Sequence, residues 1–165
     1  MMNFTRWVAV HGLIPPGMKT KALRDQYLSL LCTTYEILAQ ETSKEQADLI
    51  LSKIGHKMGL QAAETLQEEI GLPNSLQGAI DAWTIGGHAL GVKIRNKKHE
   101  NGEDFEHVTC PLHAFFTSRE LDLCHAFCLP QVESTAQAVF PDVFMRVTRH
   151  PDLKERCIKG LYVEP

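Results

Sequence analysis

Between Lys19 and Gln40 the positions Leu23, Tyr27, Leu30, Leu31, Thr34, Ile37 and Leu38 recur every three or four residues, the period of one helix face. Thr42-Ser43-Lys44-Glu45 reads as a capping box, the threonine oxygen and the glutamate each satisfying an orphan amide. The helix it opens carries Ala47, Ile50, Leu51, Ile54 and Met58, and Gly59 is its expected left-handed stop. A third helix, Leu60 to Ile70, is expected to end at Gly71 with Pro73 beyond it. Asn74 or Ser75 caps a fourth, striped by Leu76, Ala79, Ile80, Trp83 and Leu90. Gly86 and Gly87 inside it cost about 1 kcal/mol each against alanine, so that face is closely packed or the helix bends.

After Leu90 the period changes. Val92-Lys93-Ile94-Arg95 alternates, His99-Glu100-Asn101-Gly102 is a turn signal, and Phe105 to Cys110 alternates again, which predicts a hairpin. A short helix follows Pro111, Ser118 caps another running to about Cys128, and Pro130 breaks or restarts a stretch that reaches Phe140. Two strands close the chain, Val143 to Thr148 and Cys157 to Val163, joined by His150-Pro151-Asp152. The order predicts an α+β fold, with N-terminal helices packed on an antiparallel sheet of about four strands. Residues 1–18, punctuated by Pro15-Pro16-Gly17, read as an N-terminal arm. Residues 19–165 form a single domain with a helical half, 19–90, and a cysteine-bearing half, 91–165.

A chain of 165 residues supports one domain with a real core. A net charge of -3 leaves no electrostatic footprint for nucleic acid or acidic lipid. No apolar run approaches the roughly 20 residues of a membrane span. The first 16 residues lack the pattern of a secretory signal, so the expectation is a cytoplasmic protein.

Cysteine changes the picture. Cys32 stands alone on the first long helix, where core packing is its expected role, while Cys110, Cys124, Cys128 and Cys157 all fall in the last 56 residues. An odd count without an export signal argues against a disulfide scaffold and for metal or thiol chemistry. Cys124 and Cys128, at i and i+4, share a helix face. Cys110 ends one strand and Cys157 begins another, so the topology lets all four converge. Four thiolates would suit tetrahedral zinc or an iron–sulfur cluster, with His113 or His125 able to replace one. The bland alternative is four separately buried cysteines acting as small hydrophobes.

Cys110 is also the candidate nucleophile. It stands just before Pro111 and a helix start, near His107 and His113, either of which could lower its pKa. Elsewhere the eight histidines make no i, i+4 pair, and Lys93, Arg95, Lys97 and Lys98 read as a solvated strand face. No Walker A loop, no G-x-G-x-x-G after a strand and no G-x-S-x-G is present.

From about residue 75 to 163 the order of motifs resembles a known group. Ala79-Ile80-Asp81-Ala82-Trp83 leads through Leu90-Gly91-Val92 into a hairpin ending in Cys110-Pro111; then come Cys124 and Cys128, the strand Phe144 to Thr148, and a last strand from Cys157. This is similar to the L-2-amino-thiazoline-4-carboxylate hydrolase-like proteins and the vinyl-reductase-type small-ligand-binding domains. The resemblance implies a pocket between helices and sheet for a hydrophobic or aromatic molecule, and zinc held by C-terminal cysteines. Two departures stand out: Gln131 where an acid is expected, and no glycine before Cys157. The first puts the acid/base group of a hydrolase in doubt.

Three readings follow. The leading one is a metal-binding ligand or sensor domain, with Cys110, Cys124, Cys128 and Cys157 holding zinc or an iron–sulfur cluster and Trp83, Phe115, Phe116 and Phe127 lining the pocket. The second is a hydrolase of non-peptide C–N bonds in a small cyclic amide-like or thiazoline compound, using Cys110 or a metal-activated water. The third is a structural or partner-binding domain with inert cysteines. The long helices leave a homodimer open.

Overall fold

A computed structural model describes residues 15–152 and 154–164 of the chain. Three helices come first: α1 (Pro16–Glu41), α2 (Lys44–Ile70) and α3 (Leu76–Ala89). The hairpin β1 (Lys93–His99) and β2 (Gly102–Thr109) leads into α4 (Pro111–Thr117). A π-helical turn, Cys124–Cys128, runs directly into α5 (Leu129–Val139), and β3 (Phe144–Arg149) and β4 (Ile158–Tyr162) end the fold. The protein is α+β, its four antiparallel strands ordered β1-β2-β4-β3. The edge strand β1 carries four cations, a common guard against edge-to-edge pairing. No described helix is long and apolar enough to cross a membrane.

Several local signals act differently from their sequence reading. α1 starts at Pro16, whose missing N–H costs nothing in a first turn, so three residues assigned to the arm are helical. The rest of the arm, residues 1–14, lies outside the described residues. Ser43, not Thr42, caps α2: its hydroxyl accepts from the Gln46 amide at 3.2 Å, while Thr42 Oγ1 donates to the Leu38 carbonyl at 2.7 Å. Gly59 does not stop α2, which runs unbroken to the left-handed cap at Gly71 (φ 73°). A Cβ at Gly59 would collide with Ser134 Oγ and the Gln131 carbonyl, and one at Gly55 would lie 2.6 Å from the Phe127 carbonyl. Both glycines are notches that let α5 and the π turn cross α2 closely.

The hairpin turn is Glu100-Asn101, since His99 pairs with Gly102, which places Gly102 on β2. Asn101 does not take a positive φ, and its side chain donates to Val163 O at 3.1 Å. The helix expected from Ser118 to about Cys128 begins only at Leu123 and is π-helical over Cys124–Cys128, because a turn with Glu120 at φ 57° occupies the residues after Ser118.

Apolar residues gather in two clusters. The first joins α1, α2, α4 and the π turn around Leu28, Cys32, Leu51, Phe116 and Phe127. The second joins α3, α5 and the sheet around Trp83, Phe105, Val139 and Leu161. The stripe expected on α1 divides: Leu31 is buried, but Leu23, Leu30 and Ile37 are 66%, 67% and 53% exposed.

Candidate functional site

Where the two clusters meet, a cavity of about 130 Å³ remains, walled by α3, the sheet, the start of α4, the π turn and the loop before β4. Antiparallel pairing sets its sheet wall. Phe105 faces Lys159 across β2 and β4, so Phe105, Lys159 and, two residues along each strand, His107 and Cys157 share one face. α3 supplies Trp83, fixed by Nε1 donating to the Val132 carbonyl at 2.6 Å and edge-on to Phe105 at 5.3 Å between centroids. Gly86 and Gly87 follow on the same wall; Gly87 makes room for Ile94, and a Cβ at Gly86 would meet nothing within 4 Å.

All four C-terminal cysteines, Cys110, Cys124, Cys128 and Cys157, line this cavity. Cys110 caps α4, its sulfur accepting from the His113 amide at 3.5 Å. The π turn presents Cys124 and Cys128 together, at its first and last residues and on the same cavity wall. Cys157 is carried by a loop that two histidines hold: His113 Nε2 donates to the Asp152 carbonyl at 2.6 Å, and the His125 Nε2 lies 3.0 Å from the Pro151 carbonyl. Asp152 Oδ1 accepts the Lys154 and Glu155 amides, each at 2.6 Å, which folds that loop and holds its own carboxyl below the usual range.

Burial pushes the Cys110 and Cys157 thiols up, and the neighbouring Cys128 thiol, then burial, raises Cys124 further. Among the described residues, no group of three or more His, Cys, Asp or Glu side chains is arranged to hold a metal ion. All five cysteines are free, and Cys32 is fully buried in the first cluster.

Cys110 has no imidazole beside it, because the His113 ring is turned to Asp152 and the His107 ring to Cys157, with Nδ1 3.4 Å from Cys157 Sγ. Burial first, then Lys159 and Arg156, depress His107 to about 3, so at neutral pH its ring is uncharged.

Of the four aromatics expected in the pocket, only Trp83 lines it. Phe116 and Phe127 are fully buried in the first cluster, and Phe115 packs against that cluster beneath the Arg119 guanidinium. The reason is helical phase: these side chains point to α1 and α2, away from the sheet. Sequence reading missed Phe105, Lys159 and Arg156. Period two along Cys157-Lys159-Leu161 would have found Lys159. It is 4% exposed, with Nζ 5.0 Å above the Trp83 ring, and no carboxylate within ion-pair distance among the described residues. Among the described residues no Asp or Glu lines the cavity; Lys159 and Arg156 are the charged groups that do.

No protein-family model matches the chain, and no curated protein matches it. Among solved structures it is similar to the crystal structure of a trafficking protein particle complex subunit 3 from Naegleria fowleri covalently bound to palmitic acid. The TM-score is 0.61 at 12% identity, over 88% of this chain and 97% of that one. What the two share is a fold. Nothing in these matches bears on the thiazoline-hydrolase resemblance.

Proposed function

We propose that the chain is a ligand-binding domain that takes a small apolar molecule carrying an anionic group into the cavity between α3, the sheet and the cysteine-bearing segment. The observation that carries this reading is a mostly apolar cavity whose charged lining groups, Lys159 and Arg156, are both cationic, with no carboxylate among the described lining residues. A buried ammonium without a counter-ion is costly, and a ligand carboxylate would relieve that cost. About 130 Å³ is the scale of a benzene ring, since an engineered cavity of roughly 150 Å³ in another protein takes benzene. The similar trafficking subunit, described as covalently bound to palmitic acid, supports an apolar occupant for this fold.

The same proposal gives the cysteine wall to a soft metal, zinc or an iron–sulfur cluster, held by Cys110, Cys124, Cys128 and Cys157. Its support is that four sulfur donors reach one cavity; the donor type fits either metal, and binding would have to draw the sulfurs closer together. A reducing, cytoplasmic setting suits five free cysteines. A hydrolytic reading shifts from Cys110 to Cys157, which has the His107 ring beside it. A raised thiol next to an imidazole titrating at about 3 is a weak nucleophile–base pair, so binding ranks above catalysis.

Calorimetric titration with benzoate and with benzyl alcohol tests the binding reading. Benzoate is expected to bind more tightly, and Lys159→Met is expected to remove about tenfold or more of that preference, as for one lost charge-assisted contact. Equal binding of both probes, or an unchanged preference in the variant, would overturn the anionic part; no binding of either would overturn the whole. Metal analysis of anaerobically purified protein tests the cysteine wall separately: zinc, or iron with sulfide, lost on Cys→Ser change, supports it, and metal-free protein removes it.

A further inference from the structure

We infer that the outer face of α1 is a homodimer interface in which two copies of this helix pair antiparallel about Leu30. The face is apolar where solvent would favour polar groups: Leu23, Leu30 and Ile37 are each more than half exposed. Spaced by seven, they drift only about 20° per step and form a nearly straight line along a 26-residue helix. Half-buried Tyr27 and Thr34 fill the turns between them.

The ends of this line identify the occupant. Lys19 lies four residues before Leu23, and Glu41 four after Ile37; both are exposed, and neither makes an ion pair among the described residues. Lys19 and Glu41 each stand eleven residues from Leu30, and Leu23 and Ile37 each stand seven. A two-fold axis through Leu30 therefore sets Leu30 on Leu30 of the second copy and Leu23 on Ile37, with Lys19 facing Glu41 at both ends. Parallel pairing would set Lys19 on Lys19 and Glu41 on Glu41, which like-charge repulsion disfavours. Self-complementarity under a two-fold is the requirement of an isologous interface, and this face meets it in the spacing of its apolar residues and in charge together. The pairing lies on the side of α1 away from the first cluster, so it neither needs nor disturbs the cavity.

Light scattering on the size-exclusion eluate of the full chain, across a range of micromolar concentrations, tests this. A mass near twice the 18.5 kDa of one chain is expected, falling to one chain on dilution. Leu30→Lys is expected to give a monomer with an unchanged far-ultraviolet dichroism spectrum. Lys19→Glu is expected to weaken the dimer about tenfold, two symmetric contacts being reversed at once, and the double change Lys19→Glu/Glu41→Lys to restore it. A monomer at every concentration overturns the inference, as does a dimer that Leu30→Lys leaves intact. A monomer that Leu30→Lys also destabilises would overturn it too, and assign the stripe instead to packing within one chain.

Discussion

The cluster shared by α1, α2, α4 and the π turn closes around Phe116 and Phe127, whereas the cluster between α3, α5 and the sheet leaves Trp83 and Phe105 beside an open space. Both are rich in aromatic and aliphatic side chains, so hydrophobicity does not separate them. Backbone approach does. The Gly55 and Gly59 notches bring α2 against the π turn and α5, and side chains fill what little remains. On the other side two glycines of α3 line the cavity, Gly87 accommodates Ile94, and nothing fills the volume beside Gly86. A lysine in the sheet's inner face completes the contrast, because its ammonium cannot be packed over with apolar groups without a partner. The closed cluster holds the fold; the open one holds the candidate site.

Phe127→Ala should break that contrast with the largest effect. Phe127 is fully buried, tilted against Tyr27 at 6.4 Å, and bounded by backbone at Gly55, so the structure cannot collapse into the gap. A loss of about 3–5 kcal/mol is expected, read as a fall in Tm of about 10 °C. Benzoate affinity, measured well below the new Tm, is expected to stay within about twofold, since the residue does not line the cavity. A large drop in affinity with little change in Tm would reverse the assignment of the two clusters.

The division between closed and open cluster was only partly legible. Element type was, because the change from a period near four to a period of two after Leu90 follows directly from helix and pleat geometry. The four cysteines were legible as a group, since two strand ends and one helical turn can meet wherever a helix covers an antiparallel sheet. Gly59 was misread because a helix stop and a close crossing use the same residue, and only the position of α5 separates them. Phe115, Phe116 and Phe127 were assigned to the pocket by type alone, although the π turn and the phase of α4 send them to the other cluster. Leu23, Leu30 and Ile37 have the spacing of a core face yet lie outside it, because periodicity reports that a face is apolar and not what covers it.

A smaller effect, confined to the open cluster, comes from acid. His107 titrates near 3 in the folded protein against 6.5 for an ordinary histidine, burial being the main cause. Below about pH 6.5 the unfolded chain takes up a proton that the folded one refuses, so its contribution to stability is present above that pH and fades as pH falls toward 3. Urea unfolding between pH 7 and pH 4 should show this decline, and His107→Gln should flatten it. A decline of the same slope in the variant would move the cause to another group.

The smallest change in stability should produce the clearest change in binding. Gly86 sits in the last turn of α3 with open cavity where its Cβ would stand, and its backbone is helical, so Gly86→Leu meets neither strain nor collision at the Cβ. Replacing glycine by leucine within a helix should add up to about 1 kcal/mol of stability. The leucine side chain would enter the cavity and occupy volume on the scale of the proposed ligand. The variant should melt at or slightly above the parent temperature and bind benzoate at least tenfold more weakly. A variant that is as stable and binds as well would place the ligand elsewhere, and one that loses several kcal/mol would show that the space beside Gly86 closes in solution.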